Sequence, residues 1–331
     1  MSGSAELADK LVSAWRRQRG EEIDVSALQA LSTGASSDTY AFDATSRGLR
    51  EHCILQLFGG GESFVSALSK TDQARTQQAA FHAGVRTPEV MLTVGVDDGL
   101  AEGFVSRFVE GETLGKRIVG DARYASARRV LPQQCAEALA AIHALDADAL
   151  HFLPLQTAHV QIGELAQRHH GYGEDLPVFE AAFGWLRAHQ PAPTLPRVVH
   201  GDFRTGNLLV DEQGLRGVLD WELSHRGDAM EDLGWLCLRS WRFGCDALPV
   251  GGFGERAAFY EHYQTASGIP VDIAAVHFWE VLGTLKWGVI CQWFSHRRLR
   301  GEIQALEPAV IGRRISEVEL QLLDLFEGRG P

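Results

Sequence analysis

Residues 197–222 read RVVHGDFRTGNLLVDEQGLRGVLDWE, and this stretch decides the fold. An apolar run at 198–199 leads into a polar loop, and a second apolar run at 208–210 leaves it. Turn-forming residues at 211–214 then precede a third apolar run at 218–219. Alternating apolar runs around such a turn are typical of two paired strands. The stretch therefore predicts a β-hairpin that follows a polar loop.

The predicted hairpin returns Asp220 toward Asp202 and Asn207, so that three oxygen-bearing side chains can meet at one point. Such convergence suits phosphoryl transfer, where the protein mainly orients a hydroxyl group and holds Mg²⁺ against the phosphates. Mg²⁺ prefers oxygen ligands and usually takes one or two carboxylates from protein. We expect Asp202 at the acceptor hydroxyl, and Asn207 and Asp220 on the metal.

A family resemblance rests on these same residues. His200-Gly201-Asp202, followed after four residues by Asn207 and then by Asp220-Trp221, resembles the catalytic signature of the aminoglycoside phosphotransferase and choline kinase-like superfamily. Residues 220–235 are similar to the branch that includes bacterial phosphotransferase-family proteins and the kinase-like domains fused to some acyl-CoA dehydrogenases. The resemblance extends from about residue 31 to residue 244.

The resemblance implies an α+β, bilobal protein-kinase-like fold. Its N-terminal lobe is an antiparallel sheet plus a helix, and its C-terminal lobe is larger and mainly helical. We expect a nucleotide-binding lobe at residues 1–106 and a catalytic and acceptor-binding lobe at 107–331. A chain of 331 residues is long enough for two such lobes.

The activity implied is ATP- or GTP-dependent, Mg²⁺-dependent transfer of a phosphoryl group to the hydroxyl of a small molecule. The acceptor could be a hydroxyacyl thioester, a choline-like alcohol or an aminoglycoside. Asp202 would accept a hydrogen bond from the hydroxyl and take its proton. Arg204 matches the place of a phosphate-contacting lysine in Ser/Thr protein kinases, and its planar fork suits phosphate. The catalytic residues are thus predicted to be Asp202 and Arg204.

The predicted nucleotide contacts begin in a turn of small residues at 32–37, between two predicted strands. Its backbone N–H groups can lie over phosphates, and we name Gly34, Ser36 and Ser37 as contacts. An ordinary hairpin turn is the alternative. In the family, a later strand leads into a linker whose main chain receives the base, so the resemblance implies contacts at Arg107 and Val109.

The predicted strand at 53–58 departs from the family, because Gln56 occupies the place of a basic residue that holds the phosphates. The following helix places Gln73 where a glutamate normally pairs with that base, and the two glutamines could form a neutral hydrogen bond. Alternatively, Lys70 or Arg75 supplies the basic contact. A kinase-fold binding protein without transfer activity is the competing hypothesis.

Composition narrows the remaining classes of function. A formal net charge of −12 argues against a nucleic-acid binder. Five scattered cysteines without a Cys-x-x-Cys pair indicate neither a zinc site nor a disulfide framework, and a reducing cytoplasm fits best. The N-terminus lacks a signal-peptide pattern, and the apolar stretch at 281–294 is too short to span a bilayer, which predicts a buried helix and no membrane partner. The sequence does not indicate an oligomeric state.

Other polar residues near the loop have a structural interpretation. His200 is expected to brace the loop, and His143 to lie in the core. Asp228 and Asp232 fit the N-terminus of a helix, where negative charge is favoured. An acceptor pocket could be lined by a set of aromatic and basic residues: Trp221, Trp235, Arg239, Trp241, Arg242 and Lys286.

Overall fold

The computed structural model describes residues 2–33, 37–61, 64 and 67–328. Its N-terminal part contains a five-stranded antiparallel sheet with the strand order β1-β2-β3-β5-β4. The strands are β1 (Asp24–Thr33), β2 (Ser37–Ser46), β3 (Leu49–Phe58), β4 (Val90–Val94) and β5 (Gly103–Arg107). A two-residue turn, Arg47-Gly48, joins β2 to β3, and both residues have positive φ. This turn conformation matches the right-handed twist of the strands it connects.

Two helices pack on opposite faces of this sheet. Helix α1 (Ser2–Arg19) buries Trp15 in a cluster that includes Leu55 of β3. Helix α2 (Lys70–His82) buries Ala74 against Phe104 of β5. Side chains alternate along a strand, and Gln56 is the cross-strand neighbour of Phe104, so Gln56 faces the α2 side of the sheet.

The C-terminal part is mainly helical and contains the largest hydrophobic cluster. Its helices are α3 (Gly115–Gly120), α4 (Ala125–His143), α5 (Ala158–Gly171), α6 (Pro177–Ala188), α7 (Met230–Leu236), α8 (Arg256–Ser267), α9 (Ile273–Leu299), α10 (Leu306–Ile311) and α11 (Ile315–Phe326). The expectation of an α+β, bilobal protein-kinase-like fold is confirmed. The division at residue 106 stays a prediction.

Helix α9 is the one described helix that is long and apolar enough to cross a membrane. About 67% of its apolar window is buried inside the protein, which is the pattern of a core helix and agrees with the predicted buried helix. The sequence pattern also predicts one helix over 302–326, but the structure divides it into α10 and α11. At the division Gly312 packs closely on α9, where a Cβ would lie 2.8 Å from the Ser295 amide nitrogen.

The predicted hairpin is present as β7 (Leu208–Asp211) and β8 (Gly214–Val218). The Asp211 carboxylate accepts hydrogen bonds from the amides of Gln213 and Gly214, at 2.7 and 3.1 Å, and so fixes the turn. Strand β6 (Arg197–Val199) enters the preceding loop and pairs with β9 (His225–Gly227), which follows the hairpin. The chain therefore enters and leaves the site side by side.

Thr87 connects the N-terminal part of the chain to this hairpin. Its hydroxyl donates to the Val218 carbonyl at 2.9 Å and accepts from the Trp221 indole N–H at 3.0 Å. Trp221 is fully buried. These bonds lie one residue before and one residue after the pair Leu219-Asp220, so they hold the end of the hairpin against the segment that leads into β4.

Candidate active site

The loop from His200 to Asn207 is held in place by one buried acid, Asp232 of α7. Its carboxylate accepts hydrogen bonds from the amides of His200 (2.8 Å) and Gly201 (3.0 Å), and from the His143 ring (3.1 Å). Burial alone would raise the pKa of Asp232, but the hydrogen bond and charge of His143 and the other donors bring this pKa below its usual value. Asp232 therefore acts on the loop itself, a role that its position near a helix N-terminus does not reveal.

Gly201 and His200 shape the loop before Asp202. Gly201 has φ +79°, and a Cβ there would lie 2.4 Å from the Leu223 carbonyl oxygen, so only glycine fits. The His200 ring donates from Nε2 to the Leu219 carbonyl (3.1 Å) and accepts at Nδ1 from the Asp202 amide (3.2 Å). Burial lowers the pKa of His200, which favours this neutral ring. The ring braces the loop, as the sequence indicates.

Asp202 lies at the centre of the loop, with its side chain 12% exposed. Its carboxylate accepts from the Trp235 indole N–H (2.8 Å) and from the Asn207 amide group (2.6 Å). Arg204 Nε contacts both carboxylate oxygens at 3.1 and 3.2 Å, and its guanidinium lies over the Trp241 ring. The carboxylate is thus oriented by two side chains and paired with a third that is partly exposed.

Asn207 and Asp220 come together through the hairpin, as predicted. The Leu219 amide donates to the Asn207 carbonyl at 2.9 Å, which places Asp220 next to the loop. Asn207 uses its amide nitrogen on Asp202, so its side-chain oxygen can serve another partner. Asp220 has φ +66°, an uncommon conformation for a residue other than glycine, and its carboxylate receives no hydrogen bond from the described residues.

The acids at this point outweigh the cations. Burial, followed by the charges of Glu222 and Asp202, raises the pKa of Asp220, although Arg204 and Lys70 oppose the shift. Burial also raises the pKa of Glu222. Excess negative charge beside two oxygen donors, Asn207 and Asp220, fits a divalent cation such as Mg²⁺.

The comparisons with known proteins agree with this geometry. Residues 27–269 match the family model described as the phosphotransferase enzyme family (APH). The chain belongs to this family. Its members include kinase-type enzymes, and the phosphotransferase fold supports transfer to a small-molecule hydroxyl.

Curated relatives carry dehydrogenase names. The chain is 26% identical over 309 residues to an Arabidopsis thaliana protein named as the acyl-CoA dehydrogenase IBR3, a match that covers 83% of this chain and 37% of the relative. It is 28% identical over 254 residues to the acyl-CoA dehydrogenase family member 11 of Gallus gallus, covering 69% and 32%. The phosphotransferase chain therefore spans about a third of the length of these relatives.

Solved structures show the same fold. A Ralstonia eutropha protein named as an aminoglycoside phosphotransferase superposes with a TM-score of 0.74, at 21% identity, over 97% of this chain and 98% of its own. The aminoglycoside phosphotransferase APH(4)-Ia, in a ternary complex with AMP-PNP and hygromycin B, gives 0.61 at 18% identity, over 94% and 98%. A choline/ethanolamine kinase family protein from Mesorhizobium loti gives 0.60 at 17% identity, over 91% and 88%.

The structure describes some of the predicted nucleotide contacts. Gly34 and Ser36, two of the predicted phosphate contacts, lie outside the described residues. Ser37 begins β2 and pairs with Phe58 at the end of β3. Gln56 lies on the cleft-facing, α2 side of β3.

The predicted base contacts differ in what their main chain offers. The Arg107 amide donates to the Glu89 carbonyl at 2.9 Å, and its side chain forms ion pairs with Glu51 and Glu89. The Phe108 amide donates to the His52 carbonyl. No hydrogen bond joins the Val109 amide to another residue of the described chain. Val109 is therefore better placed than Arg107 to donate to a base.

Lys70, the first residue of α2, lies beside the acids of this site. Its Nζ lies 2.9 Å from Gln73 Oε1 and 3.9 Å from Glu222 Oε2. The suggested neutral bond between Gln56 and Gln73 is wrong, because no hydrogen bond joins these two side chains in the described chain and Gln73 Oε1 accepts from the Lys70 ammonium instead. The sequence offered Lys70 only as an alternative, because its position depends on how α2 docks.

The predicted acceptor pocket also changes. Arg239 forms an exposed ion pair with Asp246, whereas Arg242 is buried and pairs with Glu280, so the Arg242 guanidinium cannot serve an acceptor. The expectation for Arg242 was wrong because Glu280 lies in a segment that only the fold brings close, and the expectation for Arg239 stays a prediction. Lys286 remains, with its Nζ 5.0 Å from the centre of the Trp235 ring.

A concave pocket lies beside this lysine. It is lined by apolar groups including Phe64, Leu165 and Leu282, and by the cations Lys286 and Arg168. Because Trp235 contacts both Lys286 and Asp202, the pocket adjoins the catalytic loop.

Two histidines away from this site share an acid. Ring nitrogens of His169 and His170 lie 3.2 and 2.9 Å from one oxygen of Glu180. This group belongs to α5 and α6, which carry none of the predicted catalytic or metal residues. It is a separate cluster, not part of the active site.

Proposed function

We propose that this chain is an ATP- or GTP-dependent, Mg²⁺-dependent O-phosphotransferase that acts on a hydroxyl group of a small molecule. The observation that carries the proposal is the oriented Asp202 carboxylate beside Asp220, an acid that no described donor satisfies. The family match and the kinase-like fold support the reaction class.

Asp202 positions the acceptor. The acceptor O–H donates to the carboxylate in place of the Arg204 contact, which is the most exposed of its three partners. The acceptor oxygen forms a bond to the γ-phosphorus, the bond from this phosphorus to the β,γ-bridging oxygen breaks, and the nucleoside diphosphate leaves. The hydroxyl proton passes to Asp202 late in the transfer.

Arg204 follows Asp202 by two residues in the chain. Once the acceptor replaces Arg204 at the Asp202 carboxylate, its planar guanidinium can neutralise the negative charge of the γ-phosphate. Asn207 and Asp220 would hold Mg²⁺, which when bound supplies charge neutralisation between the β- and γ-phosphates. Val109 would donate its amide to the base, and the turn containing Gly34, Ser36 and Ser37 would cover the phosphates.

The acceptor is proposed from the pocket and the relatives together. Lys286 and Arg168 outnumber the acid of the lining, Glu164, and so favour an acceptor that carries negative charge, while the apolar walls favour one with a hydrocarbon part. Because the matched relatives are named acyl-CoA dehydrogenases, a hydroxyacyl thioester is the first acceptor to test. A choline-like alcohol and an aminoglycoside remain in the panel because structural neighbours carry such names.

A kinase-fold binding protein without transfer activity is the second candidate, and Gln56 on β3 is the observation that favours it. Calorimetry with Mg·ATP and Mg·GTP, followed by a coupled assay for diphosphate release over the acceptor panel, separates the two. We expect binding of at least one nucleotide and acceptor-dependent turnover. Absence of binding for both nucleotides at millimolar concentration would overturn the proposal.

Asp202→Asn is the decisive variant in that assay. It should abolish acceptor-dependent turnover and keep nucleotide binding, because the proton acceptor is lost while the shape is kept. Glu212→Gln, which removes an exposed carboxylate from the same hairpin, is the matched control and should turn over like the wild type. Wild-type turnover by Asp202→Asn would refute the role of Asp202.

A further inference from the structure

The nucleotide phosphates need a cation that β3 does not supply, since Gln56 is neutral. Among the basic side chains described near the cleft, most are already used. Arg107 is paired with two glutamates, and Arg204, which pairs with Asp202, is already assigned to the γ-phosphate at the other end of the site. Arg75 is paired with Asp72 and lies on the Phe152 ring, on the exposed side of α2. Lys70 is the exception.

Lys70 is held at the junction of α2 with the loop that follows Asp220. The Leu68 amide donates to the Glu222 carbonyl at 2.8 Å, and Ser69 Oγ caps the helix by accepting from the Asp72 amide. These bonds fix the first turn of α2 against the metal-binding loop. The position of Lys70 is therefore set by the same segment that positions Asp220.

The ammonium group is buried, with Lys70 only 5% exposed, although lysines are rarely buried unless they are paired. An ammonium has three donors. One reaches Gln73 Oε1 at 2.9 Å, and the nearest carboxylate, Glu222, is 3.9 Å away, too far for a short hydrogen bond. Lys70 lines a cleft together with Phe58, Glu102 and Glu222, so a ligand can approach it.

We propose that Lys70 binds the nucleotide phosphates in place of the lysine that kinase-like enzymes carry on the strand that corresponds to β3. Gln73, one turn further along α2, orients the ammonium by accepting one of its protons. Cation and orienting group thus come from one helix, so the phosphate contact moves with α2 and not with the sheet. This inference rests on the proposed function, and it explains how Gln56 can be tolerated in an active enzyme.

The test compares Lys70→Gln with Arg75→Gln, a matched control that removes the same charge from the exposed face of the same helix. Binding of Mg·AMP-PNP and of adenosine is measured by calorimetry for each variant and for the wild type. Lys70→Gln should weaken Mg·AMP-PNP binding by about 10- to 100-fold and leave adenosine binding unchanged, since adenosine has no phosphates. Arg75→Gln should bind both ligands within about threefold of the wild type.

Equal loss of affinity for both ligands would show that Lys70 only supports the fold and would overturn the inference, as would wild-type Mg·AMP-PNP binding by Lys70→Gln. If Lys70→Gln does not fold, Lys70→Met is measured in the same way. The methionine side chain buries no amide group at this position. Absence of nucleotide binding by the wild type overturns the proposed function as well. If the wild type binds nucleotide and turns over, and the Lys70 variant binds Mg·AMP-PNP as tightly as the wild type, only the inference about Lys70 is overturned.

Discussion

Two aspartates next to the catalytic loop, Asp220 and Asp232, have opposite electrostatic environments. Asp232 is fully buried and accepts hydrogen bonds from two amides and a histidine, and its pKa lies below its usual value. Asp220 receives no hydrogen bond from the described residues, and burial with neighbouring acids raises its pKa. The protein satisfies the acid that supports the loop and leaves unsatisfied the acid that can bind a cation.

The difference shows how stability and function divide within one site. A buried carboxylate costs the folded state little stability when protein hydrogen-bond donors replace the water that it loses. It destabilises the folded state when they do not. Asp232 belongs to the first case. Asp220 is only partly buried, but no described donor contacts its carboxylate, and Mg²⁺ with its bound nucleotide would supply the missing positive charge.

The largest effect is expected for Asp220→Asn. Loss of this proposed metal ligand should lower turnover by on the order of 10³-fold or more, because charge stabilisation by a metal ion is worth several kcal/mol. The metal-free variant should unfold at the same temperature as the wild type or higher, since a repelling charge is gone. Turnover in the coupled assay and thermal unfolding without Mg²⁺ provide the two readouts. A clear fall in metal-free stability would place Asp220 with Asp232 as a structural acid.

Asp232→Ala should have the next largest effect, on stability rather than on a single step. The amides of His200 and Gly201 lose their acceptor, and each buried unsatisfied donor costs about 1–3 kcal/mol. We expect unfolding in urea to show a loss of roughly 2–4 kcal/mol. A variant as stable as the wild type would mean that water replaces the carboxylate, and the contrast between the two acids would disappear.

The pH dependence of stability should differ in sign between the two acids. Above the ordinary aspartate pKa of about 4, the native state holds the Asp220 proton longer than the unfolded state does, so this residue makes the metal-free protein less stable as pH rises toward its raised pKa. Asp232, whose pKa is lowered, contributes stability above pH about 4 that is lost as pH falls. Urea unfolding of Asp220→Asn and of Asp232→Ala over a pH series, each compared with the wild type, measures how each acid changes the free energy of unfolding with pH. Slopes of the same sign would contradict the assignment.

Arg204→Gln should have the smallest effect. The guanidinium lowers the pKa of Asp220, so its loss should shift the pH at which Mg²⁺ binds to a higher value and weaken transfer by about 10-fold. Activity measured against pH provides the readout. Wild-type kinetics across the pH range would make Arg204 a surface residue.

Sequence reasoning went furthest where the signal is local. The hairpin at 208–218 and the loop before it follow from apolar runs and a turn within about twenty residues, so Asp202, Asn207 and Asp220 could be predicted to converge. His200 could also be given its bracing role. These predictions need no knowledge of how distant elements pack.

The rest depends on tertiary contacts. Asp232 lies about thirty residues after the loop that it holds, and nothing in its local pattern distinguishes it from an acid at a helix N-terminus. Lys70 reaches the site only because the start of α2 docks on Glu222. The sequence predicts that Arg242 contacts an acceptor, but in the folded protein Arg242 pairs with Glu280. In each case the partner is distant in sequence, so spacing alone cannot reveal the charge balance.

The most direct test is the number of protons released when the metal binds. Calorimetry of AMP-PNP binding, with and without Mg²⁺, is carried out at about pH 6 in two buffers of different ionisation enthalpy, above the ordinary aspartate pKa of about 4. Mg²⁺ also displaces protons from the nucleotide phosphates, so if a cation replaces the proton on Asp220, the additional release when Mg²⁺ is present should be larger for the wild type than for Asp220→Asn. Equal Mg²⁺-dependent release by the wild type and by Asp220→Asn would contradict the account.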